Sequence, residues 1–238
     1  MNYDYPITGT RIIMRRLFKH DIPDIIRCYA AFDRLFYNPV DTSFVENVFL
    51  QGELWGAFVH DSMIACCCYF PLDSSFYRQD KSYIYLTDFI TDPHSCLCAG
   101  YVGFDEEMIN RFFDTKDVPA VRRTIYTAYM NTAHMQAFRQ GFRYIVHFTP
   151  VKTAEDISPV FRCGYRLVKL RGLEKLVVHY IFARSVFACD DMDFCCSHTV
   201  PLSDTKKVSA LLENGYLAFD IAKKDDTVYL SIAPLITD

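Results

Sequence analysis

No run in this 238-residue chain stays apolar for long enough to cross a bilayer, because Asp61, Asp73, Lys81, Asp88 and similar charges interrupt each one. Residues 1–16 lack the basic start, apolar stretch and small-residue cleavage site of a secretory leader, so a cytoplasmic protein without a membrane partner is expected. Neither sign of charge dominates. A net charge of −4 and a pI near 6.0 give no broad footprint for nucleic acid. The pairs Arg15-Arg16 and Arg122-Arg123 are too short to read as phosphate clamps. Ten cysteines are present, yet no two have C-x-x-C spacing. The nearest approaches to a ligand set are His94-Ser95-Cys96-Leu97-Cys98 and Cys189 with Cys195, Cys196 and His198. Both read as ordinary reduced thiols, and no metal is expected.

What the chain does contain is apolar and aromatic: 51% hydrophobic and 16% aromatic residues, enough for a sizeable core. Its most telling feature is a repeated phrase, Phe138-Arg139-Gln140-Gly141-Phe142-Arg143 and Phe161-Arg162-Cys163-Gly164-Tyr165-Arg166, with a looser version at Leu211-Leu212-Glu213-Asn214-Gly215-Tyr216. Each reads as a helix ending at a left-handed glycine, followed by an aromatic residue that opens a strand.

Periodicity organises the rest. Residues 10–17 read as a strand, and Asp21 followed by Ile22-Pro23 caps a helix reaching to about Phe32. Phe44, Val45, Val48 and Phe49 mark a second helix. Residues 54–60 and 63–70 form a hairpin across Asp61-Ser62, with Cys66-Cys67-Cys68 packed inside the second strand. Residues 82–91 are another strand, and Asp92-Pro93 ends it. A loop with Gly100 and Gly103 then precedes a helix carrying Phe104, Met108, Ile109, Phe112 and Phe113, opposite Asp105, Glu106, Asn110 and Arg111. Such a loop aims main-chain amides at a helix N-terminus, where a phosphate is favoured. Thr124-Ile125-Tyr126-Thr127-Ala128-Tyr129 reads as a strand ahead of Asn131. Beyond residue 184, Ser203-Asp204 caps a helix with Val208, Leu211 and Leu212, and residues 217–221 and 227–232 flank Lys223-Lys224-Asp225-Asp226 as a hairpin.

Several of these segments together resemble the GCN5-related N-acetyltransferase superfamily over residues 10–184. Arg11-Ile12-Ile13-Met14-Arg15-Arg16-Leu17 with Asp21-Ile22-Pro23-Asp24-Ile25 is similar to the family's opening, and Thr87-Asp88-Phe89-Ile90-Thr91-Asp92-Pro93 to its fourth strand. Gly100-Tyr101-Val102-Gly103 stands where its pyrophosphate loop falls, and Asn131, Ala133, Gly141 and Phe142 resemble its Asn-x-x-Ala segment and Gly-Phe ending. The resemblance implies an α+β fold, a mixed, mostly antiparallel twisted sheet flanked by helices at 1–184; beyond it, residues 185–238 read as a small helix-plus-hairpin extension packed on that domain. That extension would cover a sheet edge, shape an acceptor cleft or form a homodimer contact.

The same resemblance implies acetyl-CoA as co-substrate and an amine-bearing small molecule or peptide as acceptor. Phe89, Ile90, Thr91, Ala99, Gly100, Tyr101, Val102, Gly103 and Asn131 would hold the cofactor. Asp88 would be the base, and Tyr129 or Tyr101 the proton donor. Replacing Gly100 by valine is expected to block the cofactor without unfolding the chain. Leu97 and Val102 depart from the loop pattern, and Phe138 lies near the position of a proton-donating tyrosine in many members. A catalytically degenerate module that binds a small molecule or partner protein is therefore the alternative. The duplicated phrase leaves two registers: the first copy as the family's terminal junction, which Asn131 favours, or the second.

Overall fold

A computed structural model describes residues 3–7, 9–30, 42–72, 92–150, 154–171, 179–187 and 192–236. The strands are β1 (Tyr3–Ile7), β2 (Thr10–Arg16), β3 (Glu53–Val59), β4 (Ser62–Pro71), β5 (Cys96–Ala99), β6 (Gly103–Phe104), β7 (Tyr144–Pro150), β8 (Arg166–Arg171), β9 (His179–Ser185), β10 (His198–Pro201), β11 (Tyr216–Lys224) and β12 (Thr227–Pro234). The helices are α1 (Ile22–Tyr29), α2 (Thr42–Gln51), α3 (Glu106–Phe112), α4 (Val118–Gln140), α5 (Ala154–Arg162) and α6 (Thr205–Glu213).

The strands make one sheet in the order β1-β2-β3-β4-β5-β7-β9-β8-β11-β12-β10, and β6 pairs with β4. Its pairs are antiparallel except β5 with β7, which run parallel from Cys96↔Tyr144 to Ala99↔His147. Parallel neighbours need a crossover, and α3 and α4 lie in the connection between them.

Central strands buried on both faces carry near-continuous apolar runs, and β4 shows how the two faces divide. Cys66 and Cys68 join Val45, Val48, Ile25 and Cys28 under α1 and α2. Cys67 points the other way, into the core beneath α4, α5 and α6 with Ile125, Tyr129, Val160 and Val208. The cysteine run is thus core. Two hairpin turns, those of β3–β4 and β11–β12, are built without glycine: His60 and Asp61 have φ of 44° and 67°, and Asp225 and Asp226 have 48° and 63°. Such paired positive φ values match the right-handed twist of flanking strands. The first of these turns sits one residue earlier than the expected Asp61-Ser62.

The three Gly-aromatic phrases are helix-to-strand junctions, with φ of +78° at Gly141, +81° at Gly164 and +80° at Gly215. At the first, Phe142 N–H donates to Ala137 O and Gly141 N–H to Phe138 O; at the second, Tyr165 N–H donates to Val160 O and Gly164 N–H to Phe161 O. These paired bonds satisfy carbonyls that a helix end would otherwise leave open.

One expected strand is helix instead. Thr124 to Tyr129 lies inside α4, whose buried positions Val121, Ile125, Ala128, Tyr129, Thr132, Ala133, Gln136 and Ala137 recur at intervals of three and four. The β-branched and aromatic local preference loses to a 23-residue helix buried against the core, opened by Pro119 and closed by Gly141, in which Tyr126 and Met130 are buried as well. This settles the register. Helix α4 crosses from β5 to β7, so α5 with Gly164-Tyr165, the second copy, precedes the last hairpin β8–β9. After it, β11 continues the sheet beside β8 through Ala218↔Leu167, and α6 packs there. Among the described residues, no helix is long and apolar enough to cross a membrane.

Candidate functional site

In open sheets, ligands settle beyond the carboxyl ends of parallel strands where neighbouring strands diverge. Here β5 and β7 stay paired as far as Ala99↔His147 and then part. The chain after Ala99 turns back to pair Gly103 with Cys66, while β7 continues along β9 to Pro150. The crevice between them is the candidate site.

Its floor is a buried histidine that the sequence reading passed over. His147 is 0% exposed; its Nδ1 lies 2.9 Å from the Ala99 carbonyl, and its Nε2 meets the Tyr126 hydroxyl. A carbonyl only accepts, so Nδ1 carries the proton and donates to Ala99, leaving Nε2 to accept from Tyr126. The rings meet edge to face at 5.4 Å. Burial pushes the imidazole down to about 4, partly offset by bonds to the Ala99 and Gly100 main chain, so the ring is neutral at pH 7. A lone histidine inside the apolar strand Tyr144-Ile145-Val146-His147-Phe148-Thr149 was the available signal. Tyr126 was hidden because its segment was read as strand.

The glycine loop crosses the crevice as a buried, hydrogen-bonded segment. Gly100 N–H donates to Cys68 O at 2.8 Å, and the Cys67 thiol faces Gly100 O at 3.4 Å. Tyr29 donates from its hydroxyl to Tyr101 O at 2.8 Å. A Cβ on Gly100 would stand 2.4 Å from Cys68 Sγ; one on Gly103 would stand 2.9 Å from Cys28 O. Both glycines are therefore demanded by the chain's own packing. Valine at Gly100 would collide with the core before any cofactor was involved, which corrects the expectation of an unharmed fold.

Past the loop, Asp105 caps α3 by accepting from Met108 N–H and pairs with Arg27 of α1. The strand leading into Gly100 is Cys96–Ala99, where a loop was expected; the pairing with β7 decides it. Asp88, Phe89, Ile90 and Thr91 lie outside the described residues.

Of the other expected site residues, Ala99, Gly100 and Val102 are buried around the crevice and Tyr101 is half-buried there. Tyr129 is 0% exposed within α4 and donates to Ala65 O at 2.8 Å. Burial drives its hydroxyl well above the ordinary tyrosine range. Asn131 sits in mid-helix, exposed, and not at a strand end. Phe138 is 56% exposed in the last turn of α4, three turns along from Tyr126, so it does not occupy a proton donor's place in the crevice. Burial also pushes Cys68 up to about 11 and Cys96 to about 12, which excludes them as ready nucleophiles.

No protein-family model and no curated protein sequence matches the chain. Solved structures do. An N-acetyltransferase from Staphylococcus aureus Mu50 aligns over 74% of this chain and 98% of its own, with TM-score 0.51 and 8% identity. A candidate acetyltransferase, yncA, from Salmonella typhimurium, solved with its cofactor acetyl-CoA, aligns over 74% and 94% with TM-score 0.50 and 11% identity. A candidate acetyltransferase from Acinetobacter baylyi ADP1 aligns over 76% and 94% with TM-score 0.52 and 9% identity. The fold of the chain is that of the GCN5-related N-acetyltransferases: α+β, with a mixed, mostly antiparallel sheet between helices.

Proposed function

We propose that the chain is an acyl-CoA-dependent N-acetyltransferase working in the crevice at the carboxyl ends of β5 and β7. The observation that carries this reading is the parallel pair Cys96–Ala99 and Tyr144–Pro150, which diverges after Ala99↔His147 with α4 as the crossover. The likeness in fold to acetyltransferases, one of them solved with acetyl-CoA, supports it. Residues 1–184 form the transferase unit in this reading, and 185–238 the extension.

The residues fit the co-substrate in part. Gly100's amide is committed to Cys68, so main-chain donors for a pyrophosphate come from beyond it and from the first turn of α4, a long helix whose Arg122 lies over the ring of Phe104 just past the loop. Bound there, acetyl-CoA supplies the activated acyl group. The chain's part is to hold the acceptor amine in line, to take its proton at Asp88 directly or through water, and to give a proton to the departing thiolate from Tyr101. Tyr101 is preferred to Tyr129 because its side chain is partly exposed beside the crevice, whereas the Tyr129 proton is held by Ala65. The acceptor is an amine-bearing small molecule or peptide.

Calorimetry tests the binding step: the protein is expected to bind acetyl-CoA, and no heat at millimolar ligand would remove the reading. Asp88→Asn tests the chemistry. It is expected to leave CoA affinity intact while lowering turnover roughly a hundredfold or more, since the amide keeps shape but not basicity. Unchanged turnover across pH would exclude that role. The committed amide of Gly100 and the buried His147–Tyr126 pair favour one rival, a non-catalytic module. It gains if CoA binds but no amine in a broad panel is acetylated.

A further inference from the structure

The small overall charge of the chain hides a division along the sequence. Residues 118–187 hold eleven Lys and Arg against three Asp and Glu, whereas the remaining residues hold 14 against 26. Charge segregated in this way marks a surface for a polyanion, which net charge alone conceals.

The fold gathers part of this excess at one end of the sheet, the end away from the crevice. Strand β7 starts there and β9 finishes there, with Tyr144 opposite Ser185 and Val186 N–H donating to Arg143 O at 2.9 Å. Helix α4 ends at the same place, where Phe138 meets Phe187, just past β9, with ring centroids 5.6 Å apart and the rings tilted by 45°. Helix α5 ends beside them: Arg184 Nη1 donates to Cys163 O at 2.6 Å, and a Cβ on Gly164 would stand 3.4 Å from Arg184 Nε. These contacts collect Arg139 and Arg143 on either side of the Gly141 turn, Arg162 in the last turn of α5, and Arg184.

Arg139, Arg143 and Arg162 are exposed and Arg184 is half-buried. Among the described residues no carboxylate pairs with Arg143, Arg162 or Arg184. Arg139 and Arg162 each lie where a helix C-terminus favours a cation, but Arg143 and Arg184 lie outside the helices and owe nothing to that effect. Phe138 and Phe187 are 56% and 60% exposed, so the cations surround two open ring faces.

We propose that this end of the molecule binds single-stranded nucleic acid, independently of the crevice. The arginines take the phosphates and the two phenylalanines take unpaired bases, a division of labour that needs no particular sequence. All four cations are arginine, whose planar guanidinium grips phosphate in a fork and also stacks on a base. A duplex keeps its base faces stacked inside and leaves the rings without a partner. A second copy of the chain in symmetric contact would set arginine against arginine.

Fluorescence anisotropy of labelled oligouridylate and oligothymidylate with the full chain tests this. Both strands are expected to bind at about 50 mM salt, with log K falling by roughly 2 to 3 per decade of salt, the slope for three or four phosphates on a single strand. Arg143→Gln and Arg162→Gln, at exposed positions, should each weaken binding several-fold and lower that slope by about 0.7. Phe138→Ala should weaken binding about fivefold or more and leave the slope unchanged, since a ring releases no counterion. The proposal is overturned if neither strand binds at low salt, if an oligouridylate–oligoadenylate duplex binds as well as the single strand, or if these variants bind like the native chain. It is equally overturned if CoA displaces the strand, which would place binding in the crevice, or if phosphatidylserine vesicles hold the chain while neither strand does, which would make this end a membrane contact.

Discussion

Lowering the pH from 7 to 4 is expected to remove about 3 kcal/mol from the folded state through His147 alone. The imidazole titrates near 6.5 in the unfolded chain and near 4 in the fold, because burial disfavours its charged form. Above pH 6.5 both states hold it neutral, and its contribution to stability is fully present. Between 6.5 and 4 the unfolded chain takes up a proton that the folded one refuses, so stability falls with pH, by up to about 1.4 kcal/mol per unit. Below 4 both are charged and this loss is complete. His134, also lowered, adds in the same direction.

Urea unfolding at pH 7, 5.5 and 4 measures the effect. His147→Phe, which breaks the bonds to Ala99 and Tyr126, should be less stable than the native chain at pH 7, and that difference should shrink as the pH falls. An NMR titration in which folded His147 charges near 6.5 would exclude the buried, neutral pair. The same loss would open the floor of the crevice, since His147 ties β5 to β7 and to α4 at the point where the strands part.

Gly100→Val is expected to cost about 3 kcal/mol of stability or more, a large share of the margin of an ordinary domain. Nothing in the backbone forbids a side chain at this position, as Gly100 is absent from the residues with positive φ. The obstacle is space: the first added carbon would stand 2.4 Å from Cys68 Sγ, in a core where Cys68 is itself 6% exposed. Gly100→Ala should show a smaller loss by the same route, and Cys68→Ala in that background should restore part of it, giving a coupling that distant sites do not show. Denaturant midpoints of these proteins, with Cys68→Ala alone to complete the cycle, decide the matter. If Gly100→Val unfolds at the native midpoint, the close packing of this loop is wrong and its amides are free for a ligand.

How much was legible in advance differs from element to element. The hairpin of β3 and β4 was visible because two continuous apolar runs of strand length and the short polar break between them agree. The caps at Asp204 and the three glycines were visible for a similar reason, since a helix end is satisfied by neighbours within a few residues, whereas Asp105 was read as part of the polar face of α3 and is its cap. Helix α4 was misread across Thr124 to Tyr129, where a six-residue window shows β-branched and aromatic residues. Only the longer repeat of buried positions reveals the helix. That single error carried the register with it, placing Asn131 after a strand and Phe138 at a catalytic position.

The sequence by itself determined the elements whose cause is local, the apolar strands, the capped helices and the Gly-aromatic junctions, and their resemblance to one family implied a fold of the acetyltransferase type. Tertiary structure alone decided which junction is terminal, because that depends on the parallel pairing of Cys96–Ala99 with Tyr144–Pro150, segments more than forty residues apart. It also decided that Gly100 and Gly103 serve packing against Cys68 and Cys28, and that His147 meets Tyr126. Close approach and burial arise between residues distant in the chain, and no short window of sequence contains both partners.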